Sequence, residues 1–352
     1  MQATPSDFQF RPILETLLER RDLTESQAAA VMAAIVQGQL APAEIAAFAV
    51  ALRMKGESVN ELAGLAAAMR DHSLKITAPP GAIDTCGTGG DASGTFNIST
   101  AAALVVAGMG IPVAKHGGKA SSSLSGSADV LHALGVNIDL DPSGVQRCLD
   151  AAGIAFLFAP TFHPGMKHAA PVRKTLGVRT VFNLLGPLSN PAGAKFQLLG
   201  VSRPEHCELF AKVLQKLGSL SAMIVCGAGP NSGTGGSGYL DEVSTFGPTT
   251  VARLKDGAIK VVQLDAQKLG FPLSDPAALQ VHSAQQSAAV IRDLLAAKKS
   301  PARDIVLVNA AAAAQIAGLA RTWIDGLALA AQAIDSGAAS AVLTKLIHAS
   351  NR

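Results

Sequence analysis

The residues best suited to chemistry fall in two short stretches. The first reads Asp84-Thr-Cys-Gly87-Thr-Gly89-Gly90-Asp91-Ala-Ser-Gly94-Thr95-Phe-Asn97-Ile98-Ser99-Thr100. The second reads Lys115-His116-Gly117-Gly118-Lys119-Ala-Ser121-Ser122-Ser123-Leu-Ser125-Gly126-Ser127-Ala-Asp129. Both are rich in Gly, Ser, Thr and Asn, which expose backbone N–H groups and hydroxyls, the donors that hold phosphate oxygens. Gly87 and Gly90 let backbone approach a diphosphate closely. Either loop alone could be a ligand-free turn. Their recurrence at equivalent places, each after a short apolar run, points to a ligand with more than one phosphate.

Neighbouring residues extend the pattern. Asn97, Ser99 and Thr100 precede an apolar segment, where one hydroxyl suffices as a helix cap and the others are free for a ligand. Lys115 stands at the exit of a buried run, a place suited to a phosphate contact. Asp241-Glu242 is an adjacent acidic pair that suits Mg²⁺, which takes oxygen ligands shared with phosphates. Arg173 can clamp a carboxylate bidentately. Gly87-x-Gly89-x-x-Ala92 loosely matches the dinucleotide fingerprint, but the next strand ends in Lys115-His116 and not in the acidic residue that grips a ribose. A Walker A sequence is absent.

These loops need elements to hold them. Residues 1 to about 75 read as helices: Leu14, Leu17 and Leu18 recur at helical spacing, Thr24/Gln27 and Ser58/Glu61 form capping boxes, and Pro42 opens a segment that stops at Gly56. The expected helices are Glu25–Gln37, Ala43–Met54 and Asn60–His72. A Pro/Gly linker, Thr77–Gly81, leads into short β-type runs alternating with helices. Strands are expected at Ile83–Cys86, Pro112–Lys115, Ala155–Phe158, Gln197–Gly200, Ala222–Cys226 and Val251–Leu254. Helices are expected at Thr100–Met109, Asp129–Leu134, Ser143–Ala152, Ala310–Leu319 and Ile324–Ser336. The fold class is therefore α/β: a small helical domain (1–76) and a larger domain (77–352) with a mainly parallel sheet. The segment near 165–190 is expected to return to the helical domain, and Phe271–Ser283 to be irregular.

Composition limits the alternatives. Of 352 residues, 49% are hydrophobic and 16% charged, enough for a large core. The net charge of +3 is too balanced for nucleic acid or an anionic membrane as main partner. The cysteines, Cys86, Cys148, Cys207 and Cys226, lack metal-ligand spacing and read as reduced thiols. The expected location is the cytoplasm.

Taken together, the motifs resemble the anthranilate phosphoribosyltransferase family. The resemblance is carried by Gly87-Thr-Gly-Gly-Asp91, Asn97-Ile-Ser99-Thr100, Lys115-His116-Gly117, Ser125-Gly-Ser127-Ala-Asp129, His163-Pro-Gly-Met166-Lys167, Val172-Arg173-Lys174, and Arg179-Thr-Val-Phe-Asn183-Leu-Leu-Gly186-Pro187. It implies transfer of a 5-phosphoribosyl group from phosphoribosyl pyrophosphate to anthranilate, in tryptophan biosynthesis, by a homodimer with a fold of the nucleoside phosphorylase/phosphoribosyltransferase type. By matching position, Gly87, Gly90, Asp91, Thr95, Asn97, Ile98, Ser99, Thr100, Lys115, Ser123 and Ser127 would hold the sugar diphosphate. His116, Gly117, Gly118 and Lys119 would also contact substrate. His163, Gly186 and Pro187 would line the aromatic site, with Arg173 facing the carboxylate. Ser99, Asp241 and Glu242 would serve Mg²⁺. Gly118 and Lys119 depart from the Asn-Arg usual in the family, and the loop 228–238 is longer, with Tyr239 in place of a Gly. A different aromatic acceptor, a pyrimidine nucleoside phosphorylase, and a catalytically silent nucleic-acid-binding relative are the competing expectations.

Overall fold

A computed structural model describes residues 8–119, 125–230 and 238–352. Four helices come first: α1 (Phe10–Leu18), α2 (Glu25–Val36), α3 (Pro42–Lys55) and α4 (Val59–Asp71). The two capping boxes form as expected. Gln27 N–H donates to Thr24 Oγ1 (3.2 Å) while Thr24 N–H donates to Gln27 Oε1 (2.9 Å). Ser58 N–H likewise donates to Glu61 Oε2 (2.7 Å). Pro42 opens α3, where its missing N–H costs nothing.

The remainder begins with β1 (Ile83–Gly87), α5 (Ile98–Gly108), β2 (Val113–Gly117), α6 (Ser127–Leu134), α7 (Pro142–Ala152) and β3 (Ile154–Phe158). It then runs through α8 (Ala159–Phe162), α9 (Ala170–Leu176), α10 (Val181–Leu185), β4 (Phe196–Gly200), α11 (Glu205–Lys216), β5 (Ser221–Ala228) and β6 (Tyr239–Leu240). A hairpin of β7 (Thr249–Lys255) and β8 (Ala258–Leu264) precedes α12 (Ala284–Leu295), α13 (Pro301–Ile316), α14 (Trp323–Asp335) and α15 (Ala338–Ser350).

One sheet runs β3-β2-β1-β4-β5-β7-β8, with β6 also paired to β5. Strands β3 to β5 are parallel, while β6, β7 and β8 are antiparallel additions. Parallel strands are buried on both faces, and β3 (Ile-Ala-Phe-Leu-Phe) is buried throughout. Strand order reverses at β1, whose neighbours β2 and β4 lie on opposite sides. Such a switch point leaves a crevice beyond the carboxyl ends of the strands.

Two apolar cores flank the sheet. One joins α5, α7, α13 and α15 to β1–β3. The other joins α1–α4 to Val172, Val181, Phe182 and Leu185 of the 165–190 segment, and to Phe210 of α11 and Ile224 of β5. Val251–Leu254 is a strand, but antiparallel. Unanticipated elements are α11, α12, α15, β6 and β8, and α13 begins at Pro301, well before Ala310. Phe271–Ser283 holds a 3-10 turn at Pro276–Ala278 and an isolated antiparallel bridge from Gln280 to Thr95. No single helix among the described residues is long and apolar enough to cross a membrane.

Candidate active site

A cavity of about 430 Å³ opens at the switch point. Its wall is the loop from Gly87 to Asn97, the first turn of α5 (Ile98–Thr100), the end of β2 with the two residues after it (Lys115–Lys119), Ser125–Ser127 at the start of α6, and Asp241–Glu242 opposite. Gly89 and Gly90 have φ of +62° and +79°, and Ala92 is left-handed at +54°. Such turns aim successive N–H groups into one concavity, where an anion can sit. Asn97 precedes α5 without capping it by its side chain. Its Nδ2 donates to Ser125 O (3.2 Å), which bridges the two loops, and its Oδ1 is buried without a partner among the described residues.

The acidic pair reaches across the cavity. Gly89 N–H donates to Asp241 Oδ2 (2.7 Å), and Ser99 N–H donates to Glu242 Oε1 (2.9 Å). The second bond places a carboxylate on the positive end of α5. Burial lifts the Asp241 carboxyl to about 7, aided by the neighbouring Asp91 charge. Burial and then Asp241 push Glu242 up as well, with Lys115 opposing. Like charges are thus held together in a desolvated place, a setting that favours a cation.

Lys115 is nearly fully buried and its ammonium donates to Thr85 O and to Ser99 Oγ (3.2 Å). Burial lowers its pKa, and Asp84 opposes that. Asp84 is fully buried beneath the loops; its Oδ1 accepts from His116 N–H (3.2 Å). His116 Nδ1 donates to Gly186 O (3.1 Å), and its ring meets His163 edge-on at 5.1 Å. Burial drives both imidazoles down, to about 3 and about 4. Both are therefore neutral at pH 7, and each has an Nε2 without a partner among the described residues.

Of the residues singled out from sequence, Gly87, Gly90, Asp91, Thr95, Asn97, Ile98, Ser99, Thr100, Lys115, His116, Gly117, Gly118, Lys119, Ser127, Asp241 and Glu242 line this cavity. Ser123 lies outside the described residues. His163, Arg173, Gly186 and Pro187 do not line it. His163 and Gly186 adjoin it through His116. Arg173 sits on α9, half-buried, its pKa lowered by burial alone. Sequence reasoning missed Arg179. Its Nη2 donates to Thr88 O (3.0 Å), and its guanidinium occupies the place a Cβ on Gly90 would need. The Arg53 guanidinium of α3 in turn donates to Arg179 O. An arginine just before the capped start of α10 was the available signal.

Polar loops on two adjacent parallel strands, beside a helical bundle, define a class of transferase with two modules. Residues 79–340 match the glycosyl transferase family a/b domain, and residues 11–73 its helical bundle domain. The anthranilate phosphoribosyltransferase of Parvibaculum lavamentivorans is 48% identical over 342 residues, covering 97% of this chain and 98% of that protein. That of Rhodospirillum rubrum is 50% identical over 93% of this chain and 92% of its own length. The crystal structure of the Thermus thermophilus enzyme superposes with a TM-score of 0.87 at 37% identity, covering 96% of this chain and 99% of that one. The Saccharomyces cerevisiae enzyme in complex with PRPP and Mg gives 0.86 at 29% identity, with 98% and 99% covered. The chain belongs to the anthranilate phosphoribosyltransferase family.

Proposed function

We propose that this protein transfers the 5-phosphoribosyl group from phosphoribosyl pyrophosphate to the amine of anthranilate, releasing pyrophosphate. The observation that carries the reading is the cavity itself, where two donor-rich loops face a carboxylate pair whose charge needs a cation. In this reading Gly87, Gly90, Asp91, Thr95, Asn97, Ser99, Thr100, Lys115 and Ser127 bind the sugar diphosphate. Ser99, Asp241 and Glu242 serve Mg²⁺.

The donor set suits that ion. Among the described residues no cluster of three or more His, Cys, Asp or Glu forms a closed cage. Mg²⁺ needs none when water and substrate phosphates complete its shell. When bound it would neutralise charge on the departing pyrophosphate. The chain's own groups do the rest. Within the Gly-rich loop the N–H groups of Thr88 and Gly89 are taken by Gly200 O and Asp241 Oδ2, whereas those of Gly90, Asp91 and Ala92 have no partner among the described residues and would be the donors where negative charge grows. Lys115 is anchored at Thr85 and Ser99, which presets one cation at the loop base. The walls bring the amine to C1 of the pentose, and positioning carries much of the rate without a covalent step. Arg173 has no acidic partner among the described residues and would meet the anthranilate carboxylate, with His163, Gly186 and Pro187 toward the ring.

Among the described residues, a Cβ added at Gly118 would meet only Ala159 Cβ, at 3.9 Å. This open side favours a second reading, an aromatic amine substituted differently from anthranilate. We further infer a homodimer acting in the cytoplasm, with residues 1–76 and the returning segment near 165–190 as the smaller domain and 77–352 as the larger. Loss of anthranilate fluorescence in the presence of phosphoribosyl pyrophosphate and Mg²⁺ tests the activity. No turnover with anthranilate but turnover with a substituted analogue would select the second reading. Absence of any calorimetric response to phosphoribosyl pyrophosphate with Mg²⁺ would discard both.

A further inference from the structure

Asp241 and Glu242 sit in a turn after β6, outside any helix or strand. Such a turn cannot hold two repelling carboxylates in place by its own hydrogen bonds. Its position is imposed from both sides. Underneath are Gly87 and Gly200, the last residues of β1 and β4, and Gly227, the last but one of β5. A Cβ on Gly200 of β4 would lie 1.5 Å from Asp241 O, and one on Gly87 of β1 would lie 2.3 Å from Asp241 Oδ2. One on Gly227 of β5 would lie 2.7 Å from Glu242 O. The turn therefore rests directly on the strand ends, closer than any side chain allows.

From the other side comes Asn309, fully buried in α13. Val243 N–H donates to Asn309 Oδ1 (2.9 Å), and Asn309 Nδ2 donates back to Val243 O (2.8 Å). The side-chain amide thus pairs with the backbone as a neighbouring strand would. The second hydrogen of Nδ2 goes to Ile305 O (2.8 Å), one turn back in the helix. Asn is a mediocre helix former, and here it interrupts the apolar run Val306-Leu-Val-Asn309-Ala-Ala-Ala. Helix packing gives no reason for a polar residue there, whereas the two bonds to Val243 do. Further along, Ser244 N–H donates to Thr249 Oγ1 (3.0 Å) and Ser244 Oγ donates to Ala228 O (2.5 Å). Those bonds fix the exit of the turn, and Asn309 fixes the residue that follows Glu242.

We infer that Asn309 is a positioning residue: its amide holds the Asp241–Glu242 turn against the strand ends, so that both carboxylates face the cavity before any cation arrives. The cation-binding purpose rests on the function proposed above; the positioning itself does not.

The test uses the full-length protein as Asn309→Leu and Asn309→Asp. Leu removes both bonds to Val243; Asp keeps the acceptor for its N–H and loses the donor. Hydrogen exchange is followed at Gly89 and Ser99, whose N–H groups bind the two carboxylates from elements Asn309 does not touch. The expected result is exchange about tenfold faster at Gly89, Ser99 and Val243 in Asn309→Leu, with amides of β2 and β3 unchanged and Asn309→Asp in between. In parallel, the Mg²⁺ concentration for half-maximal pyrophosphate binding, read by calorimetry, rises about tenfold or more. Wild-type exchange at Gly89 and Ser99 in a folded variant overturns the inference, and so does a uniform acceleration over the whole chain. Should Asn309→Leu not fold, Asn309→Asp meets the same criteria alone. A wild-type protein that gives no heat with Mg²⁺ and pyrophosphate refutes the proposed function, while the exchange data still decide the positioning.

Discussion

Replacing Asp241 by Asn makes the unliganded protein more stable and the liganded one less so. The Asp241 carboxyl rises from 3.8 to about 7 because it is taken out of water and faces Asp91. A raised carboxyl contributes fully below its unfolded value, and the contribution is lost as pH climbs through the folded value. At 1.36 kcal/mol per pH unit the gap corresponds to ~4 kcal/mol of destabilisation once ionised. The carboxylate lies at the wall of an open cavity, so solvent screening reduces this to on the order of 1–2 kcal/mol. An asparagine of the same shape keeps an oxygen for Gly89 N–H and carries no charge. Asp241→Asn should therefore melt roughly 1–3 °C above the wild type at pH 8 without Mg²⁺, and the difference should shrink steadily toward pH 4. Adding Mg²⁺ with phosphoribosyl pyrophosphate should reverse the order, since ligand binding to the folded state raises its melting point and the variant binds less. Differential scanning fluorimetry across that pH range reads both effects. A variant no more stable at pH 8, or a difference indifferent to pH, refutes the electrostatic account of this site.

Glu242→Ala should raise the Mg²⁺ needed for turnover by roughly 10- to 100-fold while circular dichroism stays unchanged; a wild-type Mg²⁺ dependence would remove Glu242 from the site. Arg173→Ala should raise the apparent KM for anthranilate roughly 10- to 100-fold, the worth of one charge-assisted hydrogen bond, with little change for the sugar diphosphate in steady-state kinetics. Equal effects on both substrates would contradict its role. His116 and His163 should stay neutral, so two of the eight imidazoles should show no NMR titration between pH 5 and 8. Because the folded values are depressed, their contribution is complete above about 6.5 and falls as pH drops toward 4. An inflection near 6.5 at either ring would show it to be solvated.

The parts of the fold visible in the sequence are those set by local rules. Thr24/Gln27 and Ser58/Glu61 announce helix starts because the capping bonds close within four residues. The loops after β1 and β2 are visible because glycines, serines and an asparagine have few other reasons to cluster. The hairpin of β7 and β8 was not anticipated, although it had a local signal in Asp256-Gly257, whose φ values are +51° and +73°, the dipeptide favoured in such turns. Its second strand hides its periodicity because Lys260, Val261, Val262 and Gln263 are all exposed on the sheet edge. Helix α13 was foreshortened by alanines that offer no periodic contrast, although Ser300-Pro301 marks its start. What no local reading could supply is the meeting of distant groups. Gly200 and Asp241 are 41 positions apart, Asn309 and Val243 are 66, and nothing in either residue names its partner. Arg173 shows the opposite case, a residue conspicuous in sequence that lies away from the main cavity.

The first four helices bury their apolar faces against α9, α10 and α11, and Glu25 pairs with Lys216 at 2.9 Å. During synthesis, then, the opening seventy-odd residues emerge with a raw greasy flank whose cover is still to be translated. At ordinary ribosome speeds that gap lasts on the order of ten seconds or longer. The nascent chain is consequently a natural client for holdase chaperones over that interval, and a message truncated before codon 216 would yield a product prone to aggregate rather than a tidy miniature protein.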